Sequence, residues 1–256
     1  MRLQSLLFAL LLPLAVATHA TAADEVRLTN GEWSPYLGQN LPHHGVASRI
    51  VEEAFALEGV RVHWEFYPWA RALRSAERGK SDGSAVWLRS PEREQAFFIS
   101  DPVVESGYYL FHHKDKAFDW RQVGDLAPLR IGGAIDYDYG ESFQQAERDG
   151  LIQVRRLSSE EQGMRMLLAG RLDVFPMDKV VAFDMLYSKF SREERAQLSF
   201  HPLPLRSDSL HLLLSRKVAG NAERMELFNR GLKALRDSGK VSQYLLEIQQ
   251  PISLVP

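Results

Sequence analysis

The sequence predicts an α/β protein of two sheet-containing lobes joined by two hinge crossovers. Three observations carry this reading. Hydrophobic spacing switches repeatedly between period 2 and period 3.6, the signature of strands alternating with helices. The alternation occurs in two separate runs, which implies two sets of βαβ units and parallel pairing. Two extended apolar segments, Tyr108–His112 and Leu210–Leu214, lie about 100 residues apart. Two lobes joined by two such strands enclose a cleft that closes by hinge motion. The expected division is lobe 1 over 23–107 and 209–256, and lobe 2 over 108–208.

Residues 1–22 read as a signal peptide, outside the fold. Arg2 supplies a basic start, Leu6–Ala17 is apolar but for Pro13, and Ala20-Thr21-Ala22 is a small-x-small cleavage site. The run is too short to span a bilayer, and no later stretch approaches the ~18 apolar residues a span needs. The mature protein is therefore expected to be exported.

The first α/β run follows. Val46, Ile50, Val51, Ala54 and Phe55 recur at helical spacing, and Gly59 ends that helix. Val60, Val62, Trp64 and Phe66 alternate with Arg61, His63 and Glu65 as a half-buried strand, which puts Trp64 in the core. Trp69–Arg78 is a short helix stopped by Gly79, and Ser84–Leu88 a strand. The second run reads as strand Leu129–Ala134, helix Gly140–Arg148, strand Ile152–Leu157, and a helix ending near Gly170. Ser158 and Glu161 form a capping box for that last helix. Strand Leu172–Phe175 and helix Asp178–Tyr187 come next, then a short helix capped by Ser191 and Glu194. Leu210–Ser215 is extended, and a long helix covers Asn221–Asp237.

Composition narrows the chemistry. The 256 residues carry 31 Lys+Arg against 33 Asp+Glu, so a nucleic-acid partner is not expected. The absence of Cys removes disulfides, thiolate metal sites and Cys nucleophiles. Metal sites and cofactors are not expected. His112-His113 point to opposite faces of a strand, a poor chelate. Gly140-Glu141-Ser142 lacks the flanks of a nucleophile elbow. Glu52-Glu53 and Glu160-Glu161 read as solvated helix faces.

Several stretches, in order, resemble the family-3 extracytoplasmic solute-binding proteins, periplasmic receptors of amino-acid ABC importers. They are Trp33-Ser34-Pro35-Tyr36, then Asp82-Gly83 through Ser90-Pro91-Glu92-Arg93 to Ile99-Ser100-Asp101-Pro102, and Leu168-Ala169-Gly170-Arg171-Leu172-Asp173. The resemblance implies a type II, Venus-flytrap clamshell, a small-molecule ligand, an ABC permease as partner, and a monomer without enzymatic activity. It also implies that Arg93 grips a ligand carboxylate, for which a planar guanidinium fork is suited. The competing reading is a surface charge run, Glu92-Arg93-Glu94. Asp178, five residues after Asp173, takes the family's amine-binding position, but an Asp there also serves as a helix N-cap.

The departures are as informative. Small hydroxyl residues before the family's Arg are replaced by Ala85, Val86, Trp87 and Leu88. Its Gly-Thr turn is Asp136-Tyr137, and its early Gly-Phe-x-x-Asp is Gly45-Val46-Ala47-Ser48-Arg49. Pro68-Trp69-x-Arg71 and Tyr137-x-Tyr139-Gly140 mark a divergent subgroup. Trp33, Tyr36, Trp69, Trp87, Tyr137 and Tyr139 are candidate cleft walls, since rings bury area and attract cations; core packing is the other reading for Trp69 and Trp87. Arg71 is expected on a helix surface. Two alternatives remain. One is a cyclohexadienyl dehydratase-like enzyme on the same fold, using Asp178, Glu105 or Asp136 as its acid. The other is a receptor that presents ligand to a sensor kinase or chemoreceptor.

Overall fold

The computed structural model describes residues 24–116 and 118–249. The signal-peptide reading over 1–22 lies outside these residues. The first run comprises β1 (Asp24–Asn30), α1 (Val46–Ala56), β2 (Val60–Phe66), α2 (Trp69–Glu77), β3 (Gly83–Leu88) and α3 (Pro91–Ala96). A 17-residue strand, β4 (Phe97–His113), leads into the second run. That run is β5 (Ile131–Ala134), α4 (Glu141–Arg148), β6 (Val154–Leu157), α5 (Glu160–Leu168), β7 (Val174–Asp178), α6 (Lys179–Lys189) and α7 (Arg192–Arg195). An 18-residue strand, β8 (Leu198–Ser215), returns to α8 (Asn221–Asp237) and α9 (Lys240–Gln249).

The strand order is β2-β1-β3-β8-β4-β7-β5-β6. β1 pairs in parallel with β2 and β3, and β5 with β6 and β7, as the βαβ pattern requires. Between the two groups run β4 and β8, antiparallel along most of their length. The Leu210–Leu214 end of β8 pairs with β3, whereas Tyr108–His112 of β4 pairs with β7. Both segments expected to cross are thus parts of longer strands.

The predicted helix stops rest on backbone geometry. Gly59 and Gly170 stand at φ of 76° and 64°, a region where a side chain is strained and glycine is not. α1 buries Val46, Ile50, Val51, Ala54 and Phe55, its expected apolar stripe. That stripe meets α8, where Gly231 allows close approach: a Cβ there would lie 2.0 Å from the Ala54 carbonyl oxygen. Phe55 and Phe228 pack across the same contact with centroids 4.9 Å apart. Truncating a fully buried Phe of this kind costs about 3–5 kcal/mol. A separate cluster of Leu110, Trp120, Ile131, Tyr139, Phe143 and Ile152 forms the core around β5 and α4.

Two local readings are corrected. The N-cap of α5 is Ser159, whose hydroxyl accepts from the Gln162 amide at 3.2 Å. The capping frame therefore sits one residue later than Ser158/Glu161 and makes Glu160 the first helical residue. The strand expected at Leu172–Phe175 instead covers Val174–Asp178, because its pairing with β4 continues until Asp178 lies opposite Tyr108.

Candidate functional site

A cleft of about 670 Å³ opens where the two runs face each other across β4 and β8. One wall carries Trp33 from the loop after β1, Trp69 from the start of α2, Val86 and Trp87 from β3, and Arg93 from α3. The opposite wall carries Tyr108 from β4 and the turn 135–138 after β5. Ser106, Arg206 and Asp208 from the long strands form the floor.

The ring wall is built by sequence-local geometry. Trp69 and Trp87 meet edge to face at 5.1 Å, and the Trp87 indole N–H donates to Ser84 Oγ at 2.8 Å. Trp33 stacks on Tyr36 at 4.7 Å. The register of β3 against β8 breaks between Ser84 and Trp87, and Val86 within that break has a φ of 66°. A β-branched residue in the left-handed region is a strained outlier, of the kind that clusters at ligand sites.

Arg93 leans into the cleft, away from the exposed Glu92 and Glu94. Ser90 caps α3 by accepting from the Arg93 amide, and Arg93 Nη1 donates to the Leu88 carbonyl at 2.5 Å. Its guanidinium lies 5.0 Å from the Trp87 ring centroid. Among the described residues, no carboxylate forms an ion pair with Arg93, while neighbouring Arg89 is taken by Glu94. Burial pulls the Arg93 pKa down, and the charges of Glu92 and Asp138 partly restore it. Arg206, by contrast, is neutralised by Asp138 at 2.8 Å and by Asp208.

The other expected residues divide. Trp33, Trp69, Trp87 and Tyr137 line the cleft. Tyr36 and Tyr139 do not, and both rings belong to the core. Tyr36 is 2% exposed and directs its hydroxyl to the Glu105 carbonyl, whereas Tyr139 is 1% exposed and accepts from the Ala134 amide at 2.7 Å. A phenol with a backbone partner is satisfied inside. Asp178 is 1% exposed and caps α6. Its Oδ1 accepts from the Val180 and Val181 amides at 2.9 and 3.1 Å. Its Oδ2 accepts from Ser106 Oγ at 2.7 Å and the Gly107 amide at 3.1 Å. Burial raises its pKa against the pull of those donors. Arg71 is exposed on α2, stacked over Tyr67 at 4.2 Å.

Sequence reasoning missed Glu160. The residue is turned inward, and its Oε1 is buried without a hydrogen-bond partner. Burial, then the charge of Asp178, push its pKa up to about 7, against the pull of the Tyr137 hydroxyl. The signal was present in Ser158-Ser159-Glu160-Glu161-Gln162, which fits a capping frame in two registers. The described residues contain no group of three His, Asp or Glu placed to hold a metal ion, and no helix long and apolar enough to cross a membrane.

A two-lobed α/β protein with a cleft between its lobes is the architecture of a binding protein that closes on small solutes. The family profile for bacterial extracellular solute-binding proteins, family 3, matches residues 28–247, and the chain belongs to that family. No curated protein matches. Among solved structures, a histidine kinase sensor domain similar to periplasmic binding proteins superposes with a TM-score of 0.68 at 18% identity, covering 89% of this chain and 97% of that one. An amino-acid ABC transporter substrate-binding protein from Streptococcus pneumoniae, bound to L-arginine, gives 0.65 at 19% identity, with 89% and 95% covered. An ancestral amino-acid-binding protein described as a precursor of cyclohexadienyl dehydratase gives 0.62 at 20% identity, with 87% and 94% covered. These likenesses establish the two-lobed periplasmic-binding-protein fold.

Proposed function

We propose that the chain is a periplasmic receptor, exported by a cleaved signal peptide over 1–22. It captures a small carboxylated solute, an amino acid or a relative, and delivers it to an ABC permease in the inner membrane. The observation that carries this reading is Arg93: a half-buried guanidinium facing the cleft, stacked near Trp87, with no carboxylate partner among the described residues. A buried cation without a counter-ion is costly, and a ligand carboxylate would supply two acceptors in the geometry of its fork.

Trp33, Trp69 and Trp87 would bury the ligand's apolar surface, and Tyr137 would meet it from lobe 2. With lobe 1 over 23–107 and 209–256 and lobe 2 over 108–208, β4 and β8 are the hinge. Closure is driven only by contacts stronger in the closed than in the open state. A ligand bridging Arg93 and the Tyr137 wall makes such contacts.

The test is a thermal-shift screen over amino acids, polyamines and dicarboxylates, followed by calorimetry on Arg93→Ala. A binder raises Tm with concentration, and Arg93→Ala removes the effect for carboxylates. Unchanged affinity in that variant would overturn the assignment. A second reading, a dehydratase-like enzyme, draws support from Glu160, whose pKa of about 7 suits a general acid at neutral pH. Turnover of prephenate or arogenate by the purified protein, abolished in Glu160→Gln, would establish it.

A further inference from the structure

Apart from Arg93, the polar side chains of the cleft are largely engaged with the protein itself. Ser106 donates its hydroxyl proton to Asp178 Oδ2 at 2.7 Å, and Ser84 Oγ takes the Trp87 indole N–H at 2.8 Å. Arg206 is held between Asp138 and Asp208, and Asp138 Oδ1 also accepts from the Gly140 amide at 2.8 Å. Asp136 is exposed, so water already solvates its charge. A polar ligand tail entering here would leave water for few open partners, which is unfavourable. What the cleft offers beside Arg93 is ring surface.

Those rings are mounted on the core. On the lobe 1 side, Trp33 lies against Tyr36 at 4.7 Å with 27° between their planes. Tyr36 is itself buried and anchored through its hydroxyl to the Glu105 carbonyl. Trp69 packs on the Gly31 backbone so closely that a Cβ there would stand 2.3 Å from the indole, and it meets Trp87 edge to face. On the lobe 2 side, the buried Tyr139 ring, anchored by the Ala134 amide, backs both Tyr108 and Tyr137 at 5.7 and 6.2 Å. Tyr36 and Tyr139 thus serve the cleft from behind, holding its lining rings in place. Rings fixed before binding lose little freedom when a ligand arrives. Arg93 adjoins this surface, its guanidinium 5.0 Å from the Trp87 centroid.

Resting on the proposal that Arg93 takes a carboxylate, we infer that the rest of the solute is a flat aromatic ring joined to that carboxylate by a short chain. The carboxylate sits on the Arg93 fork, and the chain runs past Trp87. The ring lies between the tryptophans of lobe 1 and the Tyr108–Tyr137 face of lobe 2 when the lobes close. Contact between rings is worth more than burial of an equal apolar area, and it favours the offset and edge-on arrangements already present in these walls. The ligand class is an aromatic carboxylate, selected by its ring rather than by a polar tail.

Calorimetry on wild type tests this with 3-phenylpropanoate, indole-3-propanoate and L-phenylalanine against glutarate, L-glutamine and L-arginine. The expected result is that at least one aromatic acid binds at least about tenfold tighter than any of the three aliphatic acids. The saturated 3-cyclohexylpropanoate, of similar size but without a flat face, should bind severalfold weaker than 3-phenylpropanoate. Trp33→Leu should cost the best aromatic probe at least about fivefold, and Trp69→Leu serves if that variant does not fold. Failure of every aromatic acid to exceed the aliphatic ones by that margin overturns the inference and leaves the carboxylate reading standing. So does equal binding of the saturated ring, or wild-type affinity in both folded Trp variants. The alcohol 3-phenylpropan-1-ol lacks the counter-charge for Arg93 and should bind at least about tenfold weaker than 3-phenylpropanoate. Equal binding of alcohol and acid, equal binding of the acid by Arg93→Ala, or absence of binding by every acid overturns the carboxylate reading and this inference with it.

Discussion

The two walls of the cleft solve opposite electrostatic problems. On the lobe 1 side a guanidinium is half buried among tryptophans, with only a backbone carbonyl as close partner. On the lobe 2 side two carboxyls lie behind hydroxyls, one fully hydrogen-bonded and one with a bare oxygen. Each wall holds the charge the other lacks. They could neutralise each other directly, but the cleft between them keeps them apart, and Arg206 is tied up by Asp138 and Asp208 instead. The proposed carboxylated solute would offer Arg93 its counter-charge, and contacts from the opposite wall that strengthen on closing would couple its capture to closure.

The sharpest way to break this comparison is to remove one charge. Arg93→Ala should weaken a carboxylate ligand by roughly 30- to 5000-fold, the range for truncating one member of a desolvated charge pair. Arg93→Lys should recover only part of it, because an ammonium lacks the planar fork. Both are read by calorimetry against the best hit of the thermal-shift screen.

Asp178→Ala probes the same wall for stability. It orphans the amides of Val180, Val181 and Gly107 and the Ser106 hydroxyl, and removes the α6 cap. The expected loss is about 2–4 kcal/mol in urea unfolding. Asp178→Asn, which retains acceptor capacity on one oxygen, should lose less.

Glu160 predicts the reverse sign at high pH. Its carboxyl rises from an ordinary 4.5 to about 7 in the fold, so between those values the native state holds a proton the unfolded chain has released. Unfolding stability therefore falls as pH climbs through this window, and the group's contribution is greatest below it. Glu160→Gln should abolish that slope and stabilise the unliganded protein at pH 8 by about 1–3 kcal/mol, followed as Tm against pH.

These contrasts also mark what the sequence could reveal. Periodicity and stop glycines located the helices because both act within a few residues. Arg93 was legible only through the family resemblance of Ser90-Pro91-Glu92-Arg93; the short helix capped by Ser90 that turns it inward carries too few residues for periodicity to show. The long strands were legible only in their apolar halves. β4 carries Pro102 and Ser106-Gly107, and β8 carries Arg206 through Ser209, where the strands cross the cleft floor and meet polar partners. Glu160 was read with Glu161 as one solvated face, whereas consecutive helix positions stand about 100° apart, so one can turn inward while its neighbour pairs with Lys189 and Arg165 at the surface. Tyr36 and Tyr139 were read as walls because nothing local reveals that a distant carbonyl and a nearby amide satisfy their hydroxyls.

The smallest expected effect concerns the strain beneath Trp87. Val86 is 4% exposed, so replacing it with Gly forfeits about 1.5–2 kcal/mol of burial and adds about 0.5–1 kcal/mol of unfolded-state entropy. Its φ of 66° works the other way, since a β-branched side chain there costs of order 1–3 kcal/mol that glycine does not. Val86→Gly should therefore unfold in urea within about 1 kcal/mol of wild type. Val26→Gly in β1, equally buried but without a positive φ, should lose about 3 kcal/mol. Equal losses at the two sites would mean that Val86 stores no strain, and that the break in β3 serves only to turn Trp87 toward the cleft.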